Sequence, residues 1–244
     1  MICGASPKRG TANPLRAGRV LSRTEARSMP NSELAPFIDH SCLRPEAVVP
    51  DIERACDEAL TYRFRGLVVP SGAVAHAKRR LMNTGIKVVC VVGFPHGTQS
   101  PDIKSHEATR AAAMGADEID YVISIGAAME GDLRFVREEG IAIIRQTRGK
   151  LVKAILEIGF LTEEQKYHTA RALAEAGVHY VKTCTGFGPG VCTAEDVQLL
   201  VRAVGGKALV KASGGIKEKW QAIEMLQAGA AVIGTSHGPA ICME

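Results

Sequence analysis

A TIM (β/α)8 barrel, the α/β fold in which eight parallel strands close on themselves, is the architecture this sequence predicts, and three observations lead to it. Eight short β-type runs alternate with longer helix-type stretches, and successive run centres fall about 20–33 residues apart, the spacing of a strand, a loop, a helix and a second loop. The 244 residues match the roughly 250 of a single such barrel. No Gly-x-Gly-x-x-Gly follows the first run, which weakens the rival arrangement, a doubly wound open sheet.

In order, the runs are 36–41 (PFIDHS), 66–70 (GLVVP), 87–92 (KVVCVV), 117–124 (DEIDYVIS), 150–157 (KLVKAILE), 178–183 (VHYVKT), 207–212 (KALVKA) and 231–235 (AVIGT). Amphipathic stretches at 45–62, 105–114, 162–176, 193–204 and 217–228 supply helices between them. Thr162 ahead of Glu163 and Glu164, and Thr193 ahead of Glu195 and Asp196, mark helix starts: a hydroxyl caps the first turn and acids complement the helix dipole. Gly85, Gly115, Gly177 and Gly229 fall where helices should end. After the eighth run only residues 236–244 remain, enough for a short final helix. The predicted organisation is a basic N-terminal extension over residues 1–31 and a single barrel domain over 32–244.

Apolar residues at 46% and charged residues at 23% are those of an ordinary soluble globular protein. No apolar run approaches the roughly 18 residues of a membrane span, so no membrane partner is expected. The formal charge of +4 is uneven. Residues 1–30 hold Lys8, Arg9, Arg16, Arg19, Arg23 and Arg27 against Glu25 alone, which is +5 and leaves the body at −1. The body therefore carries no basic bias toward nucleic acid. The arm reads as a disordered extension or short added helix in preference to a transit-peptide-like segment. Seven cysteines, odd in number and without a Cys-x-x-Cys, argue for a reducing compartment, taken as the cytoplasm, and against disulfides or structural zinc. The seven histidines show no ligand spacing either, so neither a metal nor another cofactor is expected.

Catalytic groups of such barrels sit at the C-terminal ends of the strands. Ionisable residues inside apolar strands are costly without a purpose, and five stand out: Asp39, Asp120, Lys153, Lys182 and Lys211. Tyr180-Val181-Lys182-Thr183 and Leu209-Val210-Lys211-Ala212 put a lysine at the same point of neighbouring strands, about 4.8 Å apart in the hydrogen-bonding direction. Mutual repulsion and burial should depress the pKa of one of them, which a Schiff-base nucleophile needs. Asp120 shares a strand face with Glu118, Val122 and Ser124, and either moves protons or acts as counter-ion to Lys182 or Lys153. Lys153 and Glu157 read mainly as a buried ion pair on one face of the fifth strand.

Three glycine-bearing loops follow strands six, seven and eight: Thr185-Gly186-Phe187-Gly188, Ser213-Gly214-Gly215 and Gly234-Thr235-Ser236-His237-Gly238. The last two stand where TIM barrels cradle phosphate, so a phosphorylated ligand is expected. His237 either adds charge there or caps the loop. Cys184 reads as a packed thiol, since no histidine base is identifiable for it.

These residues also carry a resemblance. Val181-Lys182-Thr183-Cys184-Thr185-Gly186-Phe187 resembles the Schiff-base signature of the deoxyribose-phosphate aldolase family, which normally has serine at the position of Cys184. Val210-Lys211-Ala212-Ser213-Gly214-Gly215-Ile216 resembles the segment with that family's second lysine. Ile38-Asp39-His40-Ser41, Gly93-Phe94-Pro95 and Gly115-Ala116-Asp117-Glu118-Ile119-Asp120 are similar to it as well. The likeness runs from about Pro36 to Ile241 and does not cover the arm.

The resemblance implies reversible cleavage of 2-deoxy-D-ribose 5-phosphate to acetaldehyde and D-glyceraldehyde 3-phosphate. Lys182 would form the imine, and Asp120 and Lys211 would move protons, with Lys211 also lowering the pKa of Lys182. Asp39 would contact Lys211 and assist the relay. Gly186, Gly214, Gly215, Gly234 and Ser236 would bind the phosphate. The partners would be a small sugar phosphate and acetaldehyde, with self-association into a homo-oligomer left open. Departures from the family are Leu67-Val68-Val69-Pro70, where a cysteine is usual, His237 in place of a small residue, and no tyrosine-ended tail. A class I aldolase for another sugar phosphate and a non-catalytic phosphate-binding barrel are the alternatives.

Overall fold

The computed structural model describes residues 30–243. The arm predicted over 1–31 lies, apart from Pro30 and Asn31, outside the described residues. A one-turn helix α1 (Asn31–Leu34) and a 3-10 turn lead into β1 (Ile38–Ser41), α2 (Val49–Tyr62), β2 (Gly66–Val69), α3 (Val74–Arg80) and β3 (Lys87–Val92). Next come α4 (Pro101–Ala113), β4 (Glu118–Val122), α5 (Ile125–Glu130), α6 (Leu133–Gln146) and β5 (Leu151–Ile155). The chain continues through α7 (Glu163–Ala176), β6 (Tyr180–Lys182), α8 (Ala194–Val204), β7 (Leu209–Ser213), α9 (Lys219–Gln227), β8 (Val232–Thr235) and α10 (Gly238–Met243). Each strand pairs in parallel with the next and β8 pairs with β1, closing the barrel.

All eight predicted strands are present, and the short final helix is there as α10. Thr162 and Thr193 do cap α7 and α8: each side chain accepts from the third residue of its helix, and Gln165 and Asp196 accept from the cap amides in return. Such a cap stabilises a helix by about 1 kcal/mol. Gly177 ends α7 at φ 92°, a left-handed conformation that glycine adopts without a Cβ penalty. The extra helix α5 between β4 and α6 was not predicted. No helix among the described residues is long and apolar enough to cross a membrane.

Strand alternation sorts the side chains into two environments. Leu67, Val69, Val88, Cys90, Ile119 and Tyr121 face the helices and join the main core. Inside the barrel, Val68, Val89 and Val91 form a small cluster with Leu43 and Phe94. Across from them, β4 to β7 put Glu118, Asp120, Lys153, Lys182 and Lys211 in the interior, all buried. The interior thus has an apolar side and a charged side.

Outside the barrel, a buried ion pair fixes the exit of β4. Lys104 on α4 contacts Glu139 on α6 at 2.8 Å and donates to the Val122 carbonyl at 2.9 Å. Glu139 in turn accepts from the Ser124 amide at 3.0 Å. Both strand-end backbone groups are satisfied by charged partners, which holds the strand that carries Asp120.

Candidate active site

Register decides which charges meet. Lys182, the last residue of β6, pairs directly with Lys211 on β7, and Asp120 on β4 pairs with Lys153 on β5. Asp120 Oδ2 accepts from Lys211 at 2.8 Å and from Lys182 at 3.3 Å, while Oδ1 accepts from Lys153 at 2.7 Å. Asp39 Oδ2 accepts from Lys211 at 2.6 Å and its Oδ1 from Arg65 at 2.7 Å. Glu118 holds Lys153 at 2.6 Å and the other end of the Arg65 guanidinium at 2.6 Å. Four cations therefore share three carboxylates in one connected network.

That surplus falls on Lys182. Burial pushes its pKa down, Lys211 and Lys153 push the same way, and Asp120 offsets only part, leaving it at about 8. Roughly a tenth of Lys182 is then neutral at pH 7, against about one molecule in a few thousand for an ordinary lysine. Lys153 goes the other way: burial opposes its charge, but Asp120, Asp39 and Glu118 outweigh it and raise its pKa. Burial alone would raise the carboxylates. Lys153, Lys211 and Lys182 hold Asp120 far below the usual range, and Lys211, Lys153 and Arg65 hold Asp39 at about 2.

The Asp39 shift has a pH consequence. Because its folded pKa lies below the unfolded value of 3.8, its contribution is present above about pH 4 and disappears as pH falls through 2. The contribution is about 2 kcal/mol. Urea melts of wild type and Asp39→Asn should differ in stability near pH 7, and the gap should shrink between pH 4 and pH 2. A gap that stays constant over that range would contradict the assignment.

Lys182 and Lys211 open onto a cavity of about 430 Å³ at the C-terminal mouth of the barrel. Gly186, Gly214, Gly215, Gly234 and Ser236 line the same cavity, so the structure brings every predicted loop residue to one place. Gly214 adopts φ 100°, and a Cβ there would meet Cys184 Cβ at 2.8 Å, so no larger residue fits that turn. A Cβ on Gly234 would approach Lys211 Cε to 3.1 Å. The His237 amide donates to Thr235 Oγ1 while its ring contacts Ser236 Oγ at 3.2 Å, so it caps the loop and also lines the cavity. Asp39 and Asp120 lie behind the lysines, fully buried and off the cavity wall.

One expectation fails. Lys153 and Glu157 form no ion pair, because β5 ends at Ile155 and Glu157 takes a left-handed backbone conformation at φ 52°. The strand alternation that would align the two stops before Glu157. Its carboxylate instead accepts from the amide and hydroxyl of Thr185, anchoring the loop after β6. Cys184 is buried and its thiol is pushed far up by burial, in keeping with a packed thiol. Arg65 was not singled out by the sequence, since it precedes its strand and looks like a surface residue. Glu118 was placed on the Asp120 face, but its partners were not foreseen.

A closed (β/α)8 barrel with buried lysines opening into a glycine-lined mouth defines an enzyme, and its relatives make it a lyase. The chain belongs to the DeoC/LacD family of aldolases, whose model matches residues 34–244. A deoxyribose-phosphate aldolase of Thermus thermophilus is 43% identical over 209 residues, covering 86% of this chain and 95% of the relative. That of Caldicellulosiruptor saccharolyticus is 44% identical over 219 residues, covering 88% and 100%. The deoxyribose phosphate aldolase of Aeropyrum pernix, whose structure is described as tetrameric, superimposes with a TM-score of 0.82 at 29% identity, covering 87% of this chain and 91% of that one.

Proposed function

We propose that the chain catalyses reversible aldol cleavage of 2-deoxy-D-ribose 5-phosphate to acetaldehyde and D-glyceraldehyde 3-phosphate, through a Schiff base on Lys182. The observation that carries this is Lys182 itself: a buried lysine with a depressed pKa, at the end of a strand, opening into the cavity that the phosphate-cradle loops line. The neutral amine adds to the C1 aldehyde of the open-chain sugar, and loss of water gives an iminium. The electron pair of the C2–C3 bond flows into that iminium as the C3 hydroxyl loses its proton. D-glyceraldehyde 3-phosphate departs and an enamine of acetaldehyde remains. Protonation at C2 and addition of water return acetaldehyde and the free lysine. Asp120, which contacts both Lys182 and Lys211, and Lys211 itself are the groups that move these protons, with Asp39 holding Lys211.

Gly186, Gly214, Gly215, Gly234 and Ser236 cradle the phosphate, so the sugar extends from Lys182 toward the loops after β6, β7 and β8. The groups used all lie between Asp39 and Ser236, which makes residues 32–244 the catalytic unit and leaves the arm at 1–31 outside it. The test is acetaldehyde release from 2-deoxy-D-ribose 5-phosphate set against other sugar phosphates. Preference for the deoxy sugar by at least about tenfold in kcat/KM is expected. Better turnover of another sugar phosphate would transfer the reading to that substrate, and thermal stabilisation by ligand without any turnover would overturn catalysis.

A further inference from the structure

The lysine network does not end at the cavity. It continues toward the N-terminal ends of the strands through Glu118, the first residue of β4, and Arg65, the residue before β2. Neither lines the cavity. Arg65 spans the gap between Asp39 and Glu118, and each of those carboxylates hands its other contact to a lysine, Lys211 and Lys153 respectively. Those two lysines meet on Asp120, which also contacts Lys182. A continuous path of ion pairs therefore runs from the far end of the barrel to the reactive amine.

We propose that Arg65 and Glu118 are positioning residues that set, from the closed end of the barrel, how much of Lys182 is uncharged. Asp120 from β4, Lys153 from β5 and Lys211 from β7 are the charges next to Lys182; behind them stand Asp39 from β1, Arg65 ahead of β2 and Glu118 from β4, with the Tyr180 ring of β6 against Lys153. β3 contributes Val89 and Val91 to this interior, with Lys87 on the same face but exposed at the strand start, and β8 contributes Val232, level with Lys211, and Gly234. With Lys182 protonated the interior holds four cations and three carboxylates. Deprotonation of Lys182 balances the set, and no other member of the network is both surplus and open to the cavity. Removing the Glu118 charge widens the surplus and favours the neutral amine. Removing the Arg65 charge abolishes the surplus and favours the ammonium. Removing both restores the wild-type surplus of one. Distance attenuates these effects less than in water, because every group but the partly exposed Arg65 is buried and the chain of contacts is hydrogen-bonded in series. The inference deepens the Schiff-base reading and rests on it for its meaning in catalysis.

The experiment measures Lys182 directly. The full chain as wild type, Glu118→Gln, Arg65→Gln and the double variant is labelled with acetic anhydride across a pH series. The extent of acylation at Lys182 is read by peptide mass spectrometry. The labelling midpoint should fall by about one pH unit in Glu118→Gln, rise by a similar amount in Arg65→Gln, and return to the wild-type value in the double variant. Where the protein turns over substrate, the acid limb of kcat/KM should follow the same order. Midpoints that do not move, or that move in the same direction in both single variants, overturn the proposal, since loss of structure has no reason to act with opposite signs. Should Glu118→Gln not fold, Arg65→Gln against the double variant makes the same comparison, because the pair is removed together there and leaves no orphaned charge. Labelling reads the lysine whether or not the chain cleaves a sugar phosphate, so failure of the aldolase reading shows as absent turnover with the midpoints still displaced.

Discussion

Lys182→Met is expected to fold and to lose cleavage of 2-deoxy-D-ribose 5-phosphate by about 10⁴-fold or more, measured as kcat in a coupled assay for either aldehyde. The size of the loss follows from what remains. Lys211 reaches the cavity but is engaged by both Asp39 and Asp120, and Lys153 sits deeper and is held charged by its acids. Neither is free to take over as nucleophile. The same variant should melt no lower than wild type, because it removes the surplus buried cation while methionine keeps the aliphatic stem. Nucleophile and stability thus pull apart at this position, as they do where a site holds a group its surroundings disfavour. Turnover within tenfold of wild type would remove Lys182 from the mechanism.

Asp120→Asn carries the second large effect, and its parts differ in sign. Three ammonium groups lose their shared anion, so stability to urea should drop by about 3 kcal/mol or more. Without that carboxylate the Lys182 amine becomes more neutral, and imine formation should persist. The steps that follow need protons delivered and removed, and kcat should fall by about 10²–10⁴-fold. A folded variant that forms the imine yet hardly turns over marks Asp120 as a proton-moving group. A variant that is less stable but retains wild-type kcat marks it as a counter-ion alone. Sequence reading left these two roles open, and this pair of readouts separates them.

Much of the barrel was visible in the chain because its signals are local. The Thr162 and Thr193 caps, Gly177 and the eight β-type runs depend on a few neighbouring residues, and the structure places them where expected. The pairing of Lys182 with Lys211 was visible for a related reason: each lysine follows an apolar pair, Tyr180-Val181 and Leu209-Val210, at the same point of its strand, so a parallel register brings them level. The partners of Lys153 were not legible. Alternation along 150–157 pointed to Glu157, and only the left-handed turn after Ile155 breaks it. That turn belongs to the packing of Glu157 under Thr185, a contact 28 residues away in sequence. Arg65 escaped for the complementary reason. Nothing in Tyr62-Arg63-Phe64-Arg65 distinguishes the arginine that enters the barrel from the one that does not, since its value lies in two acids on other strands. Long-range ion pairs have no local signature, whereas strands, caps and loop glycines do.

The central claim is that Lys182 forms an imine with the aldehyde product, and borohydride reduction in the presence of acetaldehyde tests it most directly. Wild type and Lys182→Met are each treated, digested and mapped by mass spectrometry. The account predicts an ethyl group on Lys182 in wild type and no adduct at the corresponding peptide of the variant. An adduct on Lys211 or Lys153 instead, or none at all in folded wild-type protein, would contradict it.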